Sequence, residues 1–168
     1  MDLEGRIARL EAVEEIRRLK ARYFRCVDRR EWDEFATLFT DDFTPDFGES
    51  TSGPVDKATF VAAVANHFRT GISVHHGHEP EIDVLDAENA TGLWPMYDLV
   101  ESPADSGYRN HTGWGHYAET YRRVDGRWLI ASTRLSRIKY VELPKAGASE
   151  EASAITHASS DATQGAGR

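Results

Sequence analysis

The sequence predicts an α+β fold in which helices come first and an antiparallel sheet comes last. Apolar residues recur at steps of three and four near the N-terminus and again near residue 60. After Gly71 the pattern changes to four runs rich in β-branched and aromatic residues. Asp125-Gly126, between the last two runs, indicates a hairpin because a type I′ turn needs positive φ at both central positions. This order is typical of helices packed on one face of a meander.

The helical part divides into three segments. The first is an amphipathic helix of about 25 residues that begins near Leu3 and ends near Asp28. Its basic residues, Lys20 among them, are interpreted as the solvated face. A second helix follows over residues 32–39, and Asp56 is the predicted N-cap of a third.

The remaining chain is predicted as a short strand and a loop over 42–53, then strands over 73–84, 90–100, 111–124 and 127–141. Residues 1–144 therefore form one domain of ordinary size. The Ala/Ser/Gly-rich segment 145–168 has Ile155 as its only large apolar side chain, which predicts a disordered tail.

Charge and composition limit the classes of partner and the cellular compartment that we expect for this chain. The chain carries 20 Lys and Arg against 28 Asp and Glu, a net charge of −8, which argues against a nucleic-acid partner. No apolar run approaches the roughly 20 residues of a membrane span, and the N-terminus lacks the features of a signal peptide. Cys26 is the only cysteine, which favours a cytoplasmic setting.

Histidines cluster at two places: His75, His76 and His78 lie together, and His111 and His116 lie on a later strand. Alternation along a strand places His76 and His78 on one face and His75 on the other. Gly77 complicates this assignment, because a glycine inside a strand often marks a bulge that redirects its neighbours.

Two chemistries fit these residues. A metal site would draw on His76, His78, His116 and Asp28, but the sequence has no HxH followed by a carboxylate at a diagnostic spacing, so this interpretation is disfavoured. The other chemistry pairs a histidine with Asp28, which would orient the ring and raise its basicity. Asp28 fits equally well as the N-cap of the helix that begins near Glu31.

Three strings carry a resemblance to a known family: RLEAVEEIRRLKARYFRCVDRREWDEFATLFTDDF, VHHGHEPEI and GHYAETYRRVDGRWLIASTRL. They resemble the SnoaL-like branch of the NTF2-like superfamily, which is similar to scytalone dehydratase, bile-acid 7α-dehydratase and hexachlorocyclohexane dehydrochlorinase. The resemblance covers roughly residues 3–140. It implies a cone-shaped barrel in which a curved, mostly antiparallel sheet wraps the long N-terminal helix and leaves an apolar pocket.

The resemblance also implies roles for individual residues. Asp28 and His76, 48 positions apart, match the family's catalytic dyad, and Tyr23 matches a tyrosine that would hydrogen-bond a substrate oxygen. Either His116 or His111 matches a second pocket histidine. The further residues expected to contact substrate are His78, Trp94, Trp114 and Arg134, although the tryptophans could equally pack in the core and Arg134 could be a surface charge.

The function implied is that of a lyase of dehydratase type, or an isomerase, that acts without a cofactor or metal on a small hydrophobic oxygenated or cyclic molecule. Polyketide-cyclase chemistry with an aldol-type closure is one alternative. A ligand-binding module of the same fold without catalysis is the other. The resemblance further implies a homo-oligomer, either a trimer or a dimer, whereas charge and hydropathy are the grounds for expecting neither a nucleic acid nor a membrane as partner.

Overall fold

The computed structural model describes residues 2–47, 55–103 and 105–145. In chain order the elements are α1 (Leu3–Arg29), α2 (Trp32–Ala36), β1 (Phe39–Asp46), α3 (Lys57–His67), β2 (Ile72–Gly77), β3 (Glu81–Val84), β4 (Asn89–Glu101), β5 (Asn110–Val124) and β6 (Arg127–Leu143). The predicted tail lies outside the described residues except for Lys145. None of the described helices is long and apolar enough to cross a membrane.

Helix α1 spans 27 residues and supplies one wall of the core. Asp2 caps its start by accepting a hydrogen bond from the Gly5 amide at 2.9 Å. The helix ends where Arg30 adopts a left-handed conformation, with φ of 59°. The buried stripe consists of Ala12, Ile16, Leu19, Lys20, Tyr23, Cys26 and Val27.

A six-stranded mixed sheet curves around α1, which confirms the predicted fold class. The strand order is β1-β6-β5-β4-β2, with β3 also paired to β4. All pairs are antiparallel except β1 with β6. The sheet is open, because the described parts of β1 and β2 lie at opposite ends of this order and do not pair.

Three local predictions meet different outcomes. The Asp125-Gly126 turn is confirmed, since both residues have positive φ, 49° and 77°. Asp56 caps α3 as predicted, accepting from the Thr59 amide at 2.7 Å. The predicted second helix is too long: α2 stops at Ala36, and the Leu38 carbonyl already accepts a hydrogen bond from the Ile130 amide of β6 at 2.9 Å.

Alternation gives the sheet an inner face that packs on α1 and an outer face that points away from it. The buried inner side chains of β4 and β5 include Ala90, Trp94, Met96, Tyr117 and Tyr121. The outer face leaves apolar side chains exposed, among them Ile72, Val74, Leu93, Trp114 and Ile138. The predicted single strand over 73–84 is in fact β2 and β3, both paired to β4.

Candidate active site

Asp28 lies one residue before the end of α1, and its carboxylate faces β2. One oxygen, Oδ1, accepts a hydrogen bond from the Ser73 hydroxyl at 2.9 Å and also contacts His75 Nδ1 at 2.7 Å. The other, Oδ2, accepts from the His75 backbone amide at 2.9 Å. The N-cap position of α2 is held by Glu31, whose side chain makes no capping hydrogen bond to the described residues of this helix. Asp28 is therefore tied to the sheet and does not cap α2.

His75 projects from the inner face of β2 between two aromatic rings. Its ring is stacked on Phe24, with centroids 6.2 Å apart, and meets Phe68 edge-on at 5.9 Å. Only 8% of the side chain is exposed. Because an ionised carboxylate accepts but does not donate, its contact with Nδ1 places a proton on Nδ1 and leaves Nε2 as the basic nitrogen.

The partner of Asp28 is thus His75 and not the predicted His76, because the register of β2 places Ser73, His75 and Gly77 on the inner face. His76 lies exposed on the outer face, 6.2 Å from the ring of Tyr97. The predicted contact residue His78 follows the end of β2 and is also exposed; only its backbone amide is engaged, donating to the Pro95 carbonyl at 2.8 Å.

Tyr23 reaches the same region from α1, where it was predicted, and it is joined by Tyr117 of β5. Their rings lie 6.2 Å apart, and both side chains are almost completely buried. Burial raises the pKa of both phenols above the ordinary value. Neither hydroxyl makes a hydrogen bond within residues 2–47, 55–103 and 105–145. Both tyrosines therefore remain protonated at neutral pH and have a hydrogen to donate.

Of the two candidates for a second histidine, His111 lies near His75 and His116 does not. His111 is buried, and its ring stacks on Tyr140 at 4.7 Å. His116 projects from the outer face of β5, because it alternates with the inner residue Tyr117.

His67, at the end of α3, lies in the same region as His111, and no pattern in the sequence singles it out. Burial lowers the pKa of both rings, and nearby imidazoles, including that of His75, lower it further. The ring of His67 also packs on Tyr108 at 4.3 Å.

The arginine near this region is Arg137 and not the predicted Arg134. Arg134 lies on the outer face with 74% of its side chain exposed, 3.7 Å from Asp46. Arg137 donates two hydrogen bonds to buried Asp98, at 3.0 and 2.7 Å. A side chain on Gly113 would collide with this pair, so the guanidinium or the carboxylate would have to shift to admit it.

The predicted tryptophans lie on opposite faces of the sheet. Trp94 is on the inner face and is buried in the core, where its Nε1 donates to the Tyr121 hydroxyl at 2.7 Å. Trp114 is on the outer face, next to Tyr97 at 5.2 Å and under the Lys139 ammonium at 5.3 Å. Trp114 and His116 therefore lie on the face of the sheet opposite to His75, and substrate contact by either of them stays a prediction.

Lys20 is the largest departure from the sequence interpretation, because it is fully buried and not solvated. Its ammonium donates to Glu119 Oε1 at 2.6 Å, and both side chains have no exposed surface. Neither its neighbours on α1 nor the pattern of charges distinguishes Lys20 from the exposed arginines. The step of four from Ile16, which places it beside the buried stripe, is the one signal that could have found it.

The proposed metal ligands do not converge, since His76, His78 and His116 lie away from Asp28. Among the described residues, a different group of possible ligands, Cys26, Glu31 and Glu34, comes within 4.8 Å. Arg25 donates to both of its carboxylates. Burial raises the pKa of the Cys26 thiol to about 11, so the thiol is protonated at neutral pH and is a poor ligand.

A groove of about 440 Å³ lies elsewhere, between α1, α2 and the β5–β6 turn. Its lining includes Arg18, Arg22 and Trp128 but none of the residues around His75. Trp128 itself is buried. The candidate site is therefore assigned by the chemistry around Asp28 and not by the size of an opening.

Comparison with known proteins identifies the family to which this chain belongs. The sequence pattern described as the SnoaL-like domain matches residues 8–134. A protein of Gibberella zeae named "Probable cyclase FGR4" is 28% identical over 138 residues, covering 76% of this chain and 92% of that protein.

Two solved structures show the same fold at low identity. One, from Novosphingobium aromaticivorans, is named "Putative Scytalone Dehydratase", with a TM-score of 0.70, 18% identity, and coverage of 82% of this chain and 91% of that chain. The other is the hexachlorocyclohexane dehydrochlorinase LinA-type3 of Novosphingobium barchaimii, with a TM-score of 0.70, 19% identity, and coverage of 84% and 94%. The sequence match over residues 8–134, which is most of the chain, establishes that this chain belongs to the SnoaL-like family.

Proposed function

We propose that this chain is a lyase of dehydratase type, or an isomerase, that needs no cofactor and uses His75 as its base. The observation that carries the proposal is the Asp28–His75 contact at 2.7 Å, inside the sheet and between aromatic rings. A carboxylate that holds Nδ1–H fixes the tautomer, and it stabilises the imidazolium that forms when Nε2 takes a proton. The substrate class is a small hydrophobic molecule, oxygenated or cyclic, with a carbonyl.

The reaction begins when His75 Nε2 removes a proton from the carbon next to the carbonyl. The C–H electron pair forms an enolate, whose oxygen accepts hydrogen bonds from the Tyr23 and Tyr117 hydroxyls. As the carbonyl re-forms, the electron pair makes a C=C bond and the C–O bond to the leaving hydroxyl breaks. The imidazolium returns its proton to that oxygen, so that water leaves and His75 is neutral again. An isomerase would instead return the proton to another carbon.

Arg137 takes the place proposed for Arg134, as the cationic residue on the inner face. Asp98 holds its guanidinium with two hydrogen bonds and so fixes its orientation. We propose that a polar group of the substrate contacts this pair, on the side where His111 and Tyr140 lie.

Cyclisation is the second candidate, because the Gibberella zeae relative at 28% identity carries the name of a cyclase. It needs the same base and the same hydroxyl donors. In the cyclase reaction the enolate would attack a second carbonyl of the same molecule. In the dehydratase reaction the enolate instead expels a hydroxyl.

The test is turnover of a panel of β-hydroxy ketones, cyclic hydroxy ketones and poly-β-ketones, followed by mass spectrometry. Loss of one water without ring closure identifies the dehydratase, and ring closure identifies the cyclase. His75→Ala should abolish turnover, whereas His76→Ala, a matched change one residue away on the outer face, should retain it. Binding without turnover by the wild type, unchanged in His75→Ala, would instead support a non-catalytic binding module.

We also propose that the outer face packs against a second copy of the chain. Its exposed apolar side chains lie on four neighbouring strands, β6, β5, β4 and β2, and such a surface is usually covered. Light scattering after size exclusion should report a dimer or trimer, and Val74→Glu with Trp114→Glu should shift it to a monomer. A wild-type monomer would contradict this proposal.

A further inference from the structure

Lys20 and Glu119 form an ion pair without any solvent-exposed surface. Besides Lys20, the Glu119 carboxylate accepts hydrogen bonds from the Thr133 hydroxyl at 3.0 Å and from the Tyr121 hydroxyl at 2.5 Å. The lysine ammonium can only donate, and the two hydroxyls can donate as well, so the three partners together suit a carboxylate that accepts from all of them. Lys20 is then the ammonium that balances this charge.

This pair is not explained by stability alone. Removing two charges from water costs several kcal/mol per ion, and apolar side chains of similar volume often do as well or better in a core. Burial does lower the pKa of Lys20, and Glu119 opposes that shift. A charge kept in the core at such a cost calls for another role, and the other contacts of the ammonium indicate one.

The side of the ammonium away from Glu119 faces three aromatic rings. Lys20 Nζ lies 3.9 Å from the ring centre of Tyr117, 4.1 Å from that of Tyr23 and 4.8 Å from that of Phe24. Phe24 in turn stacks on His75. One buried charge therefore contacts three aromatic residues of α1 and β5 that pack on one another, and one of the three stacks on the proposed base.

A cation over the face of a phenol ring has two effects. It holds the ring by an attraction of about 2 kcal/mol or more when the contact is desolvated. It also draws electron density from the ring, which makes the O–H group a stronger hydrogen-bond donor, and the low dielectric of the interior enhances this effect. The groups that gain are the hydroxyls of Tyr23 and Tyr117, which make no hydrogen bond within the described part of the chain.

We propose that Lys20 is a positioning residue, whose ammonium, held by Glu119, fixes the rings of Tyr23 and Tyr117 and strengthens the hydrogen bonds that their hydroxyls donate to a substrate oxygen. The inference rests on the proposed function for the identity of that oxygen. Lys20 does not itself touch the substrate, because it has no exposed surface.

The test uses two probes of nearly equal size, 4-nitrophenolate and nitrobenzene, with binding followed by calorimetry at a pH where the phenol is ionised. The wild type should prefer the phenolate. Lys20→Gln with Glu119→Gln keeps an N–H···O hydrogen bond while removing both charges. This variant should bind the phenolate about tenfold more weakly and nitrobenzene within about twofold of the wild type. The matched control, Arg18→Gln with Glu14→Gln, removes an exposed pair of the same helix and should change neither affinity.

A second comparison separates action through the tyrosines from direct attraction between charges. Tyr23→Phe with Tyr117→Phe should remove the same preference, and adding the Lys20 and Glu119 changes to it should lower phenolate binding no further. A full additional loss would show that the ammonium attracts the anion directly and would overturn the proposal. So would equal affinities in the wild type and the doubly neutral variant, or a wild type without preference for the phenolate.

If the glutamine pair does not fold, Lys20→Met with Glu119→Gln supplies the same comparison. Because these measurements need no turnover, the two proposals fail separately. A chain that converts no substrate but shows the Lys20-dependent preference would contradict the proposed function alone. A chain with turnover through His75 but without that preference would contradict the role of Lys20 alone.

Discussion

Two acid–base pairs join α1 to the inner face of the same sheet. They differ in whether an atom of the pair is left free to contact a ligand. In the Asp28–His75 pair the carboxylate is occupied by three donors, but His75 Nε2 makes no hydrogen bond within the described residues. In the Lys20–Glu119 pair both side chains are fully buried, and the carboxylate again accepts three donors. The first pair is arranged to exchange a proton with a ligand, whereas the second is arranged to hold a fixed charge.

The largest expected effect comes from breaking the first pair. Asp28→Asn keeps the volume of the side chain but lets an amide N–H face Nδ1, which favours the tautomer with the proton on Nε2. Turnover of the substrate found by the panel should fall by about 10²–10⁴-fold. Steady-state kinetics measure it, and circular dichroism verifies that the fold is kept. Turnover within a few fold of the wild type would show that His75 is not the base.

Breaking the second pair should act mainly on stability. Lys20→Met alone leaves the Glu119 carboxylate buried without its cation, so the free energy of unfolding should fall by about 3–5 kcal/mol. Urea denaturation measures the change. Arg18→Met, which removes an exposed partner of Glu14 on the same helix, should cost less than about 1 kcal/mol. Similar losses in the two variants would argue that Lys20 is solvated after all.

A smaller effect tests the packing of Arg137 beside the first pair. Gly113→Ala places a methyl group against the guanidinium and against Asp98, so one of the two must move. Overpacking of this kind typically lowers the free energy of unfolding by about 1–3 kcal/mol. Unchanged stability would mean that Arg137 does not lie over Gly113.

The smallest effect is a dependence of stability on pH that arises next to the first pair. Burial lowers the pKa of His67 and His111, so the unfolded chain takes up protons before the folded chain does as the pH falls. Their contribution to stability is complete above the unfolded value of 6.5 and is lost as the pH falls toward the lower folded values. Urea denaturation at pH 7.5 and 5.5 should show this decline, and His111→Gln should reduce it. An equal decline in both proteins would assign the effect to other groups.

The sequence predicts most of the fold because periodicity and turn chemistry are local properties. The length of α1, the Asp125-Gly126 turn and the N-cap at Asp56 all follow from a few neighbouring residues. The position of Asp28 at the end of α1 follows from the same pattern. What it bonds to does not, because the partner comes from a strand that lies 45 to 47 residues further along the chain.

The spacing implied by the resemblance predicts His76, one residue beyond the histidine that Asp28 contacts in the structure. The amino-acid pattern does not reveal the difference, because β2 reverses the usual burial of apolar and polar residues. Its apolar residues Ile72 and Val74 lie on the outer face, whereas the polar Ser73 and His75 point inward to Asp28. One signal in the sequence could have indicated His75: Ser73, two residues earlier, lies on the same face of the strand and can also hydrogen-bond a carboxylate. Gly77, on the same face, is required because a side chain there would meet the ring of Phe24 at 2.6 Å.

The central claim is that Asp28 holds His75 with its proton on Nδ1 and its lone pair on Nε2. ¹⁵N NMR of the imidazole nitrogens, recorded near pH 8 for the wild type and for Asp28→Asn, tests it most directly. The account predicts that in the wild type His75 Nδ1 is the protonated nitrogen and Nε2 the unprotonated one, and that this preference disappears in Asp28→Asn. A His75 ring protonated at Nε2 in the wild type, or the same spectrum in both proteins, would contradict it.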